Sequence, residues 1–302
     1  MRNPLMSTRL FFVIVFLAWN ASAFGQDVAT SINQADSSSS AVTQKSDLPP
    51  DIARIKERGE LIVAMYHRDT PPFYYLDKKT KELVGVDVEL AKGFAKRLGV
   101  GVTFDRTGKS FDEVVSKVAN READLAICKL SMTFSRMAKV QFTKPYIKLR
   151  QSLLVNQLEL LKIQRGRDPI PTIQNLEGRI GVIKKSSYVD YATKHFPNAE
   201  VVEYANWDAV VEAVLNQDII AAYRDEAEIK KIIRDMPKEA KNLLSVSFDD
   251  TSDPKGVAVP WDSHSLKSLL DFYFDSLDLQ LDADRVLDNY QEVLETIRRR
   301  TQ

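Results

Sequence analysis

The chain has 302 residues, 44% of them hydrophobic and 28% charged, enough apolar content for one large or two modest cores. Lys plus Arg number 42 and Asp plus Glu 42, a balance that gives no electrostatic footprint for nucleic acid or an anionic membrane surface. The single cysteine, Cys128, cannot form an internal disulfide, and with His67, His195 and His264 widely scattered no cluster has zinc-ligand spacing, so neither metal nor cofactor is expected.

Arg2 and Arg9 precede an apolar run at residues 10–19, followed by the small-x-small pattern Ala21-Ser22-Ala23. This predicts a cleaved secretory signal peptide over residues 1–23 and a mature chain beginning near Phe24. No cysteine for lipid attachment stands near that site, and no later segment carries the roughly 18 uninterrupted apolar residues of a membrane span. The mature protein is therefore expected to be soluble and periplasmic. Residues 24–50 are rich in Ser, Thr, Gln, Ala and Asp, include four consecutive serines at 37–40, and end at Pro49-Pro50. They read as a flexible leader.

From Asp51 the pattern alternates strand and helix. Residues 61–66 fit a buried strand. Leu90, Ala91, Phe94, Ala95 and Leu98 form one helical face that stops at Gly99. A short strand at 102–104 precedes Ser110-Phe111-Asp112-Glu113, a capping box that opens a helix burying Val114, Val115 and Val118. A strand at 125–128 closes this half. The theme repeats with strands at 179–183, 200–204 and 219–223 and helices at 188–196 and after Asn206. Such alternation predicts an α/β fold with mostly parallel sheets flanked by helices and ligands at the carboxyl ends of strands. Two such lobes face to face make a cleft. The crossings are expected near residues 151–156 and 256–260, with two helical stretches after Ser263. The expected division is 51–152 for the first part of lobe 1, 153–250 for lobe 2, and 251–302 for the return to lobe 1.

Four segments in this order are specific: Gly59-Glu60-Leu61-Ile62-Val63 with Pro71-Pro72-Phe73; Leu83-Val84-Gly85-Val86-Asp87-Val88-Glu89-Leu90; Ala123-Asp124-Leu125-Ala126-Ile127 with Ser131-Met132-Thr133-Phe134-Ser135-Arg136; and Val140-Gln141-Phe142-Thr143-Lys144-Pro145-Tyr146. Together they resemble the periplasmic solute-binding proteins, family 3, of polar amino-acid ABC transporters. The resemblance implies a two-lobed type II periplasmic-binding-protein fold that captures an amino acid or related carboxylate by hinge closure and presents it to an ABC permease in the inner membrane. It also implies a monomer and no catalysis.

An amino acid presents a carboxylate and an ammonium. Arg136 offers a planar fork for the first, beside Ser131 and Thr133 at an expected helix start. By resemblance, Asp225 takes the ammonium, Ser186 and Ser187 donate to the carboxylate, and Phe111 stacks on the solute. Tyr66 and Thr70 are candidates for the cleft wall. Lys129 and Lys185 stand where the family carries small residues. If they face the cleft they narrow it and favour an acidic solute; if they turn outward they are ordinary solvated lysines. Two alternative readings are a dehydratase-like enzyme of the cyclohexadienyl or arogenate type, with Glu226, Asp69 or His67 as general acid, and a stand-alone solute-sensing module.

Overall fold

The computed structural model describes residues 47–302. The signal-peptide segment and most of the leader lie outside the described residues. Pro50, read above as the end of the leader, instead opens a helix, α1 (Pro50–Arg58), with Asp51 in its first turn and Lys56 and Arg58 in its last.

The first lobe follows: β1 (Glu60–Tyr66), a small hairpin of β2 (Tyr75–Leu76) and β3 (Leu83–Val84), α2 (Val86–Leu98), β4 (Gly101–Gly108), α3 (Phe111–Ala119), β5 (Leu125–Ala126), the single turn α4 (Phe134–Met137), β6 (Val140–Phe142) and β7 (Ile147–Leu149). Gly99 ends α2 at φ +70°, its N–H directed to the carbonyls of Ala95 and Lys96, the stop read from the sequence. Ser110 caps α3 by accepting the Glu113 N–H at 3.1 Å, while Glu113 reaches back to the Lys109 N–H at 2.9 Å.

The second lobe comprises β8 (Gln151–Asn156), α5 (Gln157–Gln164), α6 (Pro169–Gln174), β9 (Gly178–Ile183), α7 (Ser187–His195), β10 (Ala199–Tyr204), α8 (Trp207–Leu215), β11 (Ala221–Asp225), α9 (Glu226–Asp235) and β12 (Leu243–Ser247). The chain then adds β13 (Asp253–Lys255), β14 (Ala258–Pro260), α10 (His264–Leu277), α11 (Ala283–Asp288) and α12 (Tyr290–Thr301). Three helices rather than two therefore finish the chain, because Asp282 caps a separate short helix by accepting the Arg285 N–H at 2.8 Å.

Two five-stranded sheets result, ordered β4-β1-β5-β14-β6 and β10-β9-β11-β8-β12. Strand β1 is parallel to β4 and β5, and β9 is parallel to β10 and β11. Strand β14 runs antiparallel to β5 and β6, and β8 antiparallel to β11 and β12, so each parallel core gains antiparallel strands. The first core gathers Leu61, Val63, Leu90, Phe94, Val114 and Val118 with Leu270 and Val293 from the returning helices. The second sheet buries Ile180, Val182 and Tyr188 on one face and Val210, Val214 and Ile229 on the other.

The crossings differ from expectation. Residues 151–156 are β8, fully buried inside the second sheet, and 258–260 are β14, inside the first. An extended segment fits a buried strand as readily as a connector. The connection between lobes is a two-stranded antiparallel ribbon, β7 with β13, pairing Leu149 with Asp253 and Ile147 with Lys255. Among the described residues no helix is long and apolar enough to cross a membrane, and no group of three or more His, Cys, Asp or Glu is placed to hold a metal ion.

Candidate functional site

Carboxyl ends of β5 and β11 meet across the cleft, and the residues that follow them carry its chemistry. Past β5 the backbone turns at Lys129, which adopts φ +53°, a costly position for a residue with a Cβ. Asp87, at the start of α2, holds that turn by accepting the Lys129 N–H at 2.7 Å; the same N–H lies 3.1 Å from Tyr146 Oη, which donates to Asp87 at 2.9 Å. Burial of Asp87 pushes its carboxyl up to about 7 against these hydrogen bonds and the nearby lysines.

So placed, the Lys129 side chain points inward and is only 4% exposed. Its Nζ donates to Asp225 Oδ1 at 2.9 Å and to Glu228 Oε1, both on the second lobe. Of the two lysines singled out in the sequence, Lys129 thus faces the cleft, whereas Lys185 is exposed at the rim, 3.9 Å from Glu113. Asp225 is fully buried at the N-terminus of α9, where its Oδ1 also lies 3.4 Å from the Glu228 N–H. Burial pushes the Asp225 carboxyl up, but Lys129, Lys255 and Arg224 outweigh it and pull the carboxyl down to about 2. Its Oδ2 is buried without a hydrogen bond among the described residues, 3.9 Å from Lys255 Nζ and 4.0 Å from Arg224 Nε.

Arg136 is buried too, and both sides of its fork are engaged. Nε and Nη2 each donate to Asp112 Oδ1 at 3.1 Å, and Nη1 donates to the Ser131 carbonyl at 3.0 Å. The helix start expected beside it is the single turn α4, where the Thr133 hydroxyl accepts the Arg136 N–H at 3.3 Å. Ser131 joins the lobes: its Oγ accepts from Ser187 Oγ and from Lys255 Nζ, both at 2.9 Å. Lys255 also bonds Asp253, which accepts from Tyr188 Oη at 2.7 Å.

These groups enclose an inner cavity of about 20 Å³, lined by Phe111, Lys129, Ser131, Arg136, Ser186, Ser187, Arg224, Asp225 and Lys255 among others. That is room for about one water molecule. Of the residues singled out in the sequence, Arg136, Asp225, Ser131, Phe111, Ser186, Ser187 and Lys129 line it, although the Ser186 hydroxyl is turned away to the Ile183 carbonyl at 2.6 Å. Tyr66 and Thr70 line a separate outer cavity of about 550 Å³ between the lobes. Thr133 belongs to a third recess with Asp112 and Lys185. Phe111 and Tyr66 stack with ring centroids 4.7 Å apart and so form the wall between the inner and outer spaces.

Sequence reading missed Lys255, Asp253, Asp112, Glu228 and Arg224. A signal existed for Glu228, three residues after the helix-capping Asp225 in an Asp-x-x-Glu pattern. None existed for Lys255, whose place on the crossing ribbon emerges only from the pairing of β13 with β7.

The chain is similar to several known proteins. ABC transporter arginine-binding protein 1 of Escherichia coli (strain K12) is 25% identical over 203 residues, covering 65% of this chain and 76% of its own. Membrane-bound lytic murein transglycosylase F of Saccharophagus degradans is 32% identical over 149 residues, 49% of this chain but only 27% of that protein, so lobes of this kind also occur within enzymes. A solved amino acid ABC transporter substrate-binding protein from Streptococcus pneumoniae Canada MDR_19A bound to L-arginine superposes with a TM-score of 0.62 at 25% identity, covering 82% of this chain and 97% of that one. The family model of the bacterial extracellular solute-binding proteins, family 3, matches residues 62–299. With two lobes, a connecting ribbon and an ionic cleft between them, the chain belongs to that family.

Proposed function

We propose that this protein is the periplasmic receptor of an ABC-type uptake system, that it captures an amino acid or a related small carboxylate between its lobes, and that it performs no catalysis. One observation carries the reading. Arg136 of the first lobe and Asp225 of the second line the same cavity, and each already holds a charge of opposite sign supplied by the chain itself, Asp112 on Arg136 and Lys129 on Asp225. The chain offers its own cleft the two charges that an amino acid would bring. Ser131, Ser187 and Phe111 complete the inner wall, Ser186 and Thr133 supply the adjoining turns, and Tyr66 and Thr70 the outer wall.

The residues weighed as general acids are occupied elsewhere, which favours capture over turnover. Glu226 is bound by Arg150 Nε and Nη2 at 3.0 and 2.7 Å, and Asp69 by Arg106 at 2.8 Å. His67 directs Nδ1 to the Gly108 carbonyl at 3.2 Å. None of the three lines the inner cavity. The partners of this reading are the solute and an inner-membrane permease, with the receptor itself a monomer exported by its signal peptide.

A thermal-shift panel of amino acids and carboxylates tests it. At a hundred times its dissociation constant a solute stabilises the folded state by about 2.7 kcal/mol. The expected result is a shift that is lost in Arg136→Ala. A folded protein that responds to nothing in the panel, or that converts a solute to product, would sink the receptor reading.

A further inference from the structure

The inner cavity presents four cationic side chains, Lys129, Arg136, Arg224 and Lys255, and one carboxylate, Asp225. The carboxylates that balance the rest, Glu228, Asp253 and Asp112, are each bonded to one of those cations and none lines the cavity. Asp225 offers an incoming ammonium only its Oδ2, which has no hydrogen bond among the described residues but is flanked by Lys255 Nζ at 3.9 Å and Arg224 Nε at 4.0 Å. Its Oδ1 is held by Lys129, and Lys129 is held in turn by Glu228, all three buried. Exchanging Lys129 for a solute ammonium replaces one cation with another and strands Glu228 as an unpaired buried charge.

Arg224 is the opposite case. It is 6% exposed, yet its guanidinium donates no hydrogen bond among the described residues. The ring of Trp207 lies 5.0 Å from its central carbon, and Asp225 Oδ2 is 4.0 Å from Nε, beyond hydrogen-bond reach. Arg224 lines both the inner and the outer cavity, and the outer wall carries two more buried N–H groups without acceptors, Arg106 Nε and Trp207 Nε1. The acids of that wall are taken: Asp69 by Arg106, Glu228 by Lys129, and Asp208 stands 3.9 Å from Arg68. The walls therefore supply donors and a tethered ammonium, and the charged acceptor left to a second ammonium, Asp225 Oδ2, already faces two cations.

Resting on the receptor reading, we infer that Lys129 takes the place of a solute α-ammonium and that the solute is a small dicarboxylate without an amino group. One carboxylate exchanges for Asp112 on Arg136, and the other is taken by the fork of Arg224, whose planar donors match it.

Thermal unfolding of the full chain against concentration series of succinate, L-aspartate and L-arginine tests the assignment, the first two differing by the amino group alone. Succinate is expected to bind at least about tenfold more tightly than L-aspartate, and L-arginine to leave the transition unmoved. L-aspartate or L-arginine binding more tightly than succinate overturns the role of Lys129 and leaves the receptor reading standing; no response to any of the three overturns the dicarboxylate and sends the receptor reading back to its wider panel. Lys129→Ser is expected to reverse the order of succinate and L-aspartate, and Arg224→Gln to weaken succinate about tenfold. An unchanged order in the first or unchanged succinate affinity in the second overturns the assignment. Should Lys129→Ser not fold, the wild-type order and Arg224→Gln decide it.

Discussion

Lys129 and Lys185 share a left-handed backbone, φ +53° and +55°, and meet opposite fates. Lys129 is carried inward onto Asp225 and Glu228, whereas Lys185 stays at the rim. Sequence alone left the two directions open, because the turn at Lys129 is set by Asp87 and Tyr146, far from it along the chain. The identity of Asp225 as a cleft carboxylate was legible; its partner was not. This pairing predicts an acid response with a definite sign. The Asp225 carboxyl lies below its ordinary value, so its contribution to stability is complete above about pH 4 and is lost as pH falls towards 2. Asp225→Asn is expected to show a shallower loss than wild type across that window in urea denaturation. Parallel slopes would mean that Asp225 ionises in the folded protein as it does in the unfolded chain.

At the scale of elements, patterns made of adjacent residues were read well. The stop at Gly99 and the Ser110 cap both hold, although Glu113 returns its bond to the Lys109 N–H rather than to that of Ser110. Ser110→Ala should cost about 1 kcal/mol in chemical denaturation, since it removes the acceptor for the Glu113 N–H at the start of α3. A cost near zero would show that Glu113 at the Lys109 N–H carries the cap by itself. Strands were harder. Residues 151–156 read as an extended crossing segment, yet they form β8, flanked by β11 and β12 and covered on both faces. Helix α1 escaped notice because Pro49-Pro50 reads as a break, whereas Pro50 occupies the first helical turn, where its missing N–H is harmless.

Across the whole molecule, the lobes are tied by polar contacts at the cleft, chiefly Lys129 with Asp225 and Glu228 and Ser187 with Ser131, and between α9 and α11, where Lys230 bonds Asp284 and Arg234 the Leu287 carbonyl. Breaking a buried ion pair by removing one partner is worth about 3–5 kcal/mol, comparable to the free-energy gap between many open and closed domain pairs. Lys129→Ser is therefore expected to increase the radius of gyration in small-angle X-ray scattering, and L-aspartate to reduce it again. Equal radii for wild type and variant would mean that Lys129 does not hold the lobes together.

The ribbon of β7 and β13 takes part in this coupling. Lys255 and Asp253 belong to the strand that joins the lobes, and Lys255 also forms part of the cavity wall, bonded to Ser131. Any rotation about that ribbon twists the wall, and any change at the wall loads the pivot. Grip and pivot share residues, so loosening of the wall and swinging of the lobes are expected to be coupled through the ribbon.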